Sequence, residues 1–489
     1  MERRLQILRW IFLASILGHT TCNESTMSQP YDTIVIGLGS AGTTAASTLA
    51  RAGRRVLALE AQDRIGGRVW TVPFGDGVVE VGAEWIHGTG HSRVYETAVK
   101  TNVSVVPQDL TFTMYQSDGS AANNLLVNEL LEFCLDAVEH PPEHPEALGM
   151  FLTRQLMNYL KQEHPEVLQN QDFLDEFLEL MNLVINNYEA SNDWNDVSAQ
   201  TNYAELTGHQ HMSWHRYGYK TFFDILLNTY NNGPGWPTLE IKLNTEATQI
   251  KWPKESTGRV EVVCKDGAVY TADNVILTVS VGVLKERHTN LFDPPLPQNK
   301  IQSIEKIPMG VVDKIILSFD HLGLPNGTFF GFLWRGEEKR KVSKEDYWTT
   351  RIFGCSTPMG SKTALTFWTS GEVAKLVETL PEDVVKRKVM ELLRKFMGRN
   401  ITIPEPTAMI RSTWYSSPFT RGSYTHDDLI VTQYPHARAN LAEPLRDASG
   451  SPKVLFAGEA TDLTHFSTVH GASDSGYREA QRLLLTSKV

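Results

Sequence analysis

The sequence predicts an α/β protein in which a Rossmann-like domain, assembled from separated stretches of chain, accommodates a second domain of α+β type. Three observations predict it. A short β-branched run leads straight into Gly37-Leu38-Gly39-Ser40-Ala41-Gly42 and then into a helix of small residues. Another apolar run, Lys453-Val454-Leu455-Phe456-Ala457-Gly458, reads as a second buried parallel strand more than 400 residues later. Between them the pattern changes from amphipathic helices to alternating strands, as an inserted domain would.

Taken in order, residues 1–22 read as a cleavable leader. Arg3, Arg4 and Arg9 form a basic start, Trp10 to Leu17 an apolar run, and Gly18 and Thr20 suit a processing site. That run is about eight residues long, against roughly 20 for a bilayer span. A strand is expected at 31–36, a helix at 40–52 stopped by Gly53, and a strand at 55–59 closed by Glu60, which makes one βαβ unit. Long amphipathic helices, such as 172–187, follow from 125 to 232, with a Pro- and His-rich loop at 139–145. Alternating runs at 242–252 and 260–265 lead into 274–278. Strands are expected at 310–319 and 363–369, a helix at 382–397, and a last helix at 471–486. The nucleotide-binding domain is accordingly assigned to 30–105, 235–300 and 441–489, and the substrate domain to 106–234 and 301–440.

A chain of 489 residues is too long for one ordinary core. Its net charge of −11 argues against a nucleic-acid binder, and an acidic field attracts cations, although it also serves plain solubility. Cys22, Cys134, Cys264 and Cys355 show no paired spacing, which excludes a zinc cluster and leaves room for at most one bridge. Sequons at Asn23, Asn102, Asn326 and Asn400 fit secretory passage. The C-terminal Ser487-Lys488-Val489 resembles a peroxisomal signal but ends in Val, and is read as accidental. The expected location is therefore extracellular, with a peroxisomal or cytoplasmic alternative if the leader is not used. The mature form is expected to need neither membrane nor nucleic acid.

Each glycine of the first loop has a physical task. Gly37 permits the tight turn, Gly39 lets a pyrophosphate approach the backbone, and Gly42 lets helix and strand pack closely. The helix start at Ser40 and Ala41 offers unpaired N–H groups to phosphate, and Glu60 suits ribose hydroxyls. Arg64-Ile65-Gly66-Gly67-Arg68 adds a second close backbone approach flanked by guanidinium groups. Gly458 and Glu459, after the late strand, are expected beside the same nucleotide.

These segments resemble the FAD site of the flavin-containing amine oxidases, as do Phe456–Thr461 and the run Ser467-Thr468-Val469-His470-Gly471-Ala472. Gly82-Ala83-Glu84-Trp85-Ile86-His87-Gly88 and Pro308-Met309-Gly310-Val311-Val312-Asp313-Lys314 resemble the polyamine and spermine oxidases within that family. The resemblance implies an amine-oxidase-type fold and noncovalent FAD, since Ser423 stands where a flavin-linking Cys stands in monoamine oxidases. It implies that Glu84, Trp85, Ala247, Trp414, Thr468 and Val469 join the cofactor-binding set.

It also implies that Lys314 holds a water against flavin N5. Read from its neighbours alone, Lys314 is a lone cation in an apolar strand, costly to bury without a function; a snorkelling surface lysine is the plainer alternative. His87 matches a position lining the catalytic tunnel, and Tyr424 one wall of an aromatic cage. The second wall falls on Thr468 or Ser473, which leaves the cage half-open and suits a long polyamine. Glu205 and Glu84 are the candidates for holding distal ammonium groups. The implied reaction is hydride transfer from the carbon beside a neutral amine nitrogen, imine hydrolysis to an aldehyde plus an amine, and reduction of O₂ to H₂O₂. Two other readings remain: an L-amino-acid oxidase, whose carboxylate clamp would fall to Arg93 or Arg216, and a secreted FAD-binding protein without turnover. A histone-demethylase-like role is disfavoured by the leader.

Overall fold

The computed structural model describes residues 30–399 and 401–486. The expected leader with Cys22, Asn23, Asn400 and the C-terminal tripeptide lie outside the described residues. No helix among the described residues is long and apolar enough to cross a membrane.

Strand β1 (Tyr31–Ile36) lies between Val269–Leu277 and β2 (Val56–Leu59), parallel to both. A strand paired on both edges and covered on both faces has no polar side, which explains its almost continuous apolar run. Ile34, Ile36, Leu57 and Leu59 fill one face of the sheet. Val35, Val56 and Ala58 fill the other, against Ala41, Ala45 and Leu49 of α1 (Ser40–Arg51). The last helix, Val469–Thr486, packs on α1 so closely that a Cβ on Gly476 would fall 2.0 Å from the Ala41 carbonyl oxygen.

Remote pieces complete this sheet. Leu239–Lys242 pairs with β2, and Pro452–Phe456 pairs in parallel with Val269–Leu277. The nine strands thus come from 31–59, 239–293 and 445–456. The alternating run expected at 242–252 is not one strand. Leu239–Lys242 and Ala247–Lys251 are separate, because Asn244 takes a positive φ of 53° and turns the chain between them.

A six-stranded sheet carries the second half of the molecule, with Val312–Ser318 between Ala408–Arg411 and Ala364–Ser370. Helices Asn124–Val138, Leu148–Glu163 and Gln171–Glu189 pack over its Phe329 and Trp368. The helical pattern expected through 232 stops at Glu189. Ala190 turns left-handed (φ 53°), and residues 190–219 run mainly as loop until Lys220–Leu226. The cause is local polar chemistry: Asn182 Oδ1 takes the Trp194 N–H, and Ser191 Oγ bonds Asn186 Oδ1, both competing with a helix ladder. Cys134, Cys264 and Cys355 are free and buried, so the described residues contain no bridge.

Candidate active site

A single cavity of about 950 Å³ is lined from both halves of the molecule. One part of its wall is backbone. Gly37 has φ 91°, and a Cβ there would sit 2.7 Å from Thr278 Oγ1; a Cβ on Gly42 would fall 1.9 Å from the Gly37 carbonyl oxygen. The protein itself requires those two glycines. Gly39 differs: it lines the cavity, and its missing Cβ would have nothing closer than 3.9 Å. Its lack of a side chain leaves room for a bound group. It also precedes α1 as an N-cap without any side-chain capping bond, so first-turn N–H groups stay available to an anion.

Gly66 N–H donates to the Leu38 carbonyl at 2.8 Å, which docks the second glycine pair on the first loop. Glu60 lines the cavity with Oε2 on the Leu38 N–H at 2.7 Å and Oε1 on the Gln62 N–H at 2.9 Å. Burial raises its pKa, against the pull of those two N–H groups. Ser40, Ala41, Gly66, Gly67, Ala247, Gly458 and Val469 lie in the same wall. These loops, a carboxylate and uncapped helix N–H groups fit a dinucleotide such as FAD.

The two arginines of the second loop part company. Arg68 lines the cavity and pairs with Glu459 at 2.8 Å. Arg64 does not reach it: its guanidinium donates to the Gly67 carbonyl at 2.8 Å and lies over the Trp70 ring, so it props the loop instead of facing phosphate. Glu459 Oε2 also accepts from Thr425 Oγ1 at 2.7 Å and the Ser467 N–H at 3.0 Å. Burial opposes its charge, but Arg68 and these bonds hold its pKa below the ordinary value.

Lys314 is not the lone cation that its neighbours in sequence suggested. Its Nζ pairs with Glu84 Oε2 at 2.7 Å and donates to the Glu80 carbonyl at 3.0 Å, and both side chains are under a tenth exposed. Residues 80 and 84 reach it from a turn some 230 positions away, which local pattern does not reveal. Nζ also lies 5.9 Å from the Trp85 ring and 6.0 Å from the Trp368 ring. Glu84 is thereby committed to Lys314 and is not a free anchor for a distal ammonium. Beneath them Glu80, pushed up to about 7 by burial, accepts from the Tyr219 N–H and Thr71 Oγ1.

His87 lines the cavity edge-on to His211, and burial lowers its pKa to about 4, so it is neutral at physiological pH. Tyr424 donates its hydroxyl to the Asn187 carbonyl at 2.7 Å and lines the cavity, as does Trp414. Thr468 lines it too, with its hydroxyl on the His465 carbonyl and under the Gly471 N–H. Ser473 does not: it is fully buried between helices, 2.9 Å from Thr44 Oγ1, because it lies on the side of the last helix that packs against α1.

Glu205 lines the cavity, and it has company that the sequence did not reveal: Glu139, Glu189 and Asp427. Burial and then Asp427 raise the Glu189 carboxyl to about 7, against the pull of Arg438. Tyr203, raised first by burial, feels Glu205, Glu189 and Glu139 together. One signal could have found Glu189. It is the last residue of its helix, where a negative charge works against the helix dipole. Neither Arg93, which pairs with Asp474 over the Tyr477 ring, nor Arg216, which lies over Tyr217, lines the cavity.

Comparison with known proteins agrees with this geometry. The family model of flavin containing amine oxidoreductases matches residues 40–484. The peroxisomal N(1)-acetyl-spermine/spermidine oxidase of Bos taurus is 30% identical over 491 residues, covering 92% of this chain and 94% of that protein. Polyamine oxidase 1 of Oryza sativa subsp. japonica is 31% identical over 521 residues, covering 92% and 96%. A solved putrescine oxidase double mutant with redesigned cofactor binding superposes with a TM-score of 0.65 at 17% identity, over 93% of this chain and 99% of that one. That likeness shows the fold.

Proposed function

This chain belongs to the flavin-containing amine oxidoreductases and is an FAD-dependent amine oxidase; from that premise we propose that it oxidises a polyamine at a secondary nitrogen, releasing an aldehyde and a shorter amine. The observation that carries this reading is the cavity that Lys314 and four carboxylates share with the glycine loops. When bound, FAD supplies two-electron oxidation of the carbon beside nitrogen and returns the electrons to O₂ as H₂O₂.

The chain's own residues bind, orient and exclude water. Neutral His87 offers a hydrogen bond to the reacting amine without placing a positive charge against it. Tyr424, its hydroxyl tied to the Asn187 carbonyl, stands as one wall, and burial keeps its phenol protonated. Lys314, held between Trp85 and Trp368 by Glu84, is the fixed cation that orders water near the reacting carbon. Glu139, Glu189 and Glu205 provide the negative surface for distal ammonium groups, and Asp427 lines the same cavity.

The nitrogen must be neutral to release its neighbouring hydride, so turnover rises with pH through the substrate amine's pKa. Arg93 and Arg216 lie off the cavity wall, and the arginines that line it, Arg68 and Arg287, are paired with Glu459 and Glu246, which weighs against an amino-acid oxidase with its carboxylate clamp. A peroxide assay with spermine, N-acetylated spermine and leucine decides: release from leucine alone would defeat the polyamine reading. Passage through the secretory pathway is supported by the N-terminal run and by exposed Asn102 and Asn326. Glycosidase-sensitive mass at those two asparagines, and a mature start near residue 22, would bear it out. An unprocessed, unglycosylated chain would favour the peroxisomal or cytoplasmic alternative.

A further inference from the structure

Arg438 lies on the short helix Ala437–Ala442, is 7% exposed, and has no part in the chemistry described above. Its guanidinium points inward. Nη2 donates to Asp427 Oδ1 at 3.0 Å and to the His426 carbonyl at 3.2 Å, while Nη1 donates to Thr425 Oγ1 at 2.9 Å. The group lies 3.6 Å from the ring centroid of Phe466, which lines the cavity. Thr425 passes the contact on to Glu459, and Glu459 to Arg68. With the Ala460 carbonyl 3.5 Å from Nη1, the buried fork has four acceptors and an aromatic floor and is held in one geometry.

That geometry divides the acidic wall. Asp427 has one oxygen on Arg438 and the other on Thr201 Oγ1 at 2.9 Å, so both are engaged. Glu139, Glu189 and Glu205 line the same cavity without a side-chain hydrogen bond among the described residues, and of the three only Glu189 is not exposed, which makes it the inner one. We propose that Arg438 is a positioning residue of the ammonium subsite: it withdraws Asp427 from competition and leaves Glu189 as the carboxylate that meets the substrate's distal ammonium. The inference rests on the polyamine reading above.

The charged and titratable groups around Glu189 are Asp427, Arg438, Tyr203 and Tyr424, with Glu205 and Glu139 acting on the same Tyr203. Burial and Asp427 raise Glu189 to about 7, and Arg438 pulls the other way. A carboxyl so placed anchors an ammonium only when ionised, so anchoring strengthens as pH rises through about 7. Removing Arg438 removes the one group that favours its charge, and the anchoring transition moves to higher pH. Removing the charge of Asp427 moves it to lower pH.

The test measures kcat/KM for spermine and for N1,N12-diacetylspermine from pH 5.5 to 9 and takes their ratio, since kcat/KM reports groups of the free enzyme. With both ends of the comparison substrate acetylated, the ratio largely cancels the requirement for a neutral reacting nitrogen and isolates the terminal ammonium. In the unaltered enzyme the preference for spermine rises through about pH 7, and Glu189→Gln lowers it about tenfold and flattens the transition. Arg438→Gln moves the transition up by about one pH unit, with FAD content measured alongside. Arg438→Lys, which keeps the charge, brings it back. Asp427→Asn moves it down and decides the matter if Arg438→Gln does not fold. A transition that stays in place in both Arg438→Gln and Asp427→Asn overturns the inference while leaving the polyamine reading intact. No peroxide from any polyamine in the unaltered enzyme overturns that reading itself.

Discussion

At Gly39 the cavity wall is backbone, set by a turn between two neighbouring elements. At Glu189 it is a side chain carried in on the last turn of a 19-residue helix from the other half of the molecule. The two parts therefore recognise by different means. The glycine-lined part offers N–H groups and space, which tolerate no added side chain. The acidic part offers charge, and its strength is tuned by burial and by neighbours such as Asp427 and Arg438. Shape is fixed by short-range sequence, whereas charge state is fixed by three-dimensional surroundings.

The contrast can be broken from either side. The largest effect is expected at Gly39→Val, which fills the space toward the cavity without touching the sheet. The purified variant should lack the yellow absorbance of bound flavin while keeping far-UV circular dichroism of the parent. Retained flavin would show that the loop does not carry the cofactor.

Lys314→Met should lower kcat about 100- to 1,000-fold with FAD still bound. Glu84→Gln, which leaves the ammonium buried without its counter-charge, should in addition cost about 3–5 kcal/mol of stability in chemical denaturation. Stability equal to that of the unaltered protein in Glu84→Gln would mean that the ion pair is replaceable.

A smaller effect concerns pH. Burial depresses His87 to about 4 and His211 and His470 to about 3. The unfolded chain takes up protons at these residues from about 6.5 downward, and the folded chain does not. Their contribution to stability is thus complete above about 6.5 and is lost as pH falls toward 4. The melting temperature should drop over that window, and His470→Gln should make the drop shallower; an unchanged slope would exclude His470 as a source. The smallest effect is expected for Ser473→Ala. With its hydroxyl on Thr44 and away from the cavity, it should leave kcat/KM within about twofold and cost about 1 kcal/mol.

The same contrast explains what was legible in the sequence. The βαβ unit, its glycines and Glu60 could be read because every part lies within 12 or so positions of the next and follows local rules. Lys314, His87, Tyr424 and Glu205, all of which line the cavity, could be singled out because they sit in or near distinctive runs. Glu189, Asp427 and Arg438 were not, since each looks like a solvated charge until three segments close around it. Ser473 was misplaced by one helical face: in Val469–Thr486 the side toward α1 and the side toward the cavity are only a few residues apart in sequence. Arg64 was misread for a related reason. Its guanidinium is taken up by a carbonyl of its own loop, that of Gly67 at 2.8 Å.

The pairing of Val269–Leu277 with both β1 and Pro452–Phe456 also governs biosynthesis. A ribosome must deliver the chain through Leu277 before the first βαβ unit is covered on both edges, and nearly the whole polypeptide before Val269–Leu277 gains its own last neighbour, so that strand waits with one edge open. Such late closure favours chaperone protection of that edge. Loss of the chain beyond Phe456 would take Ser467, Thr468, Val469 and Ala472 out of the cavity wall together with the helix against α1.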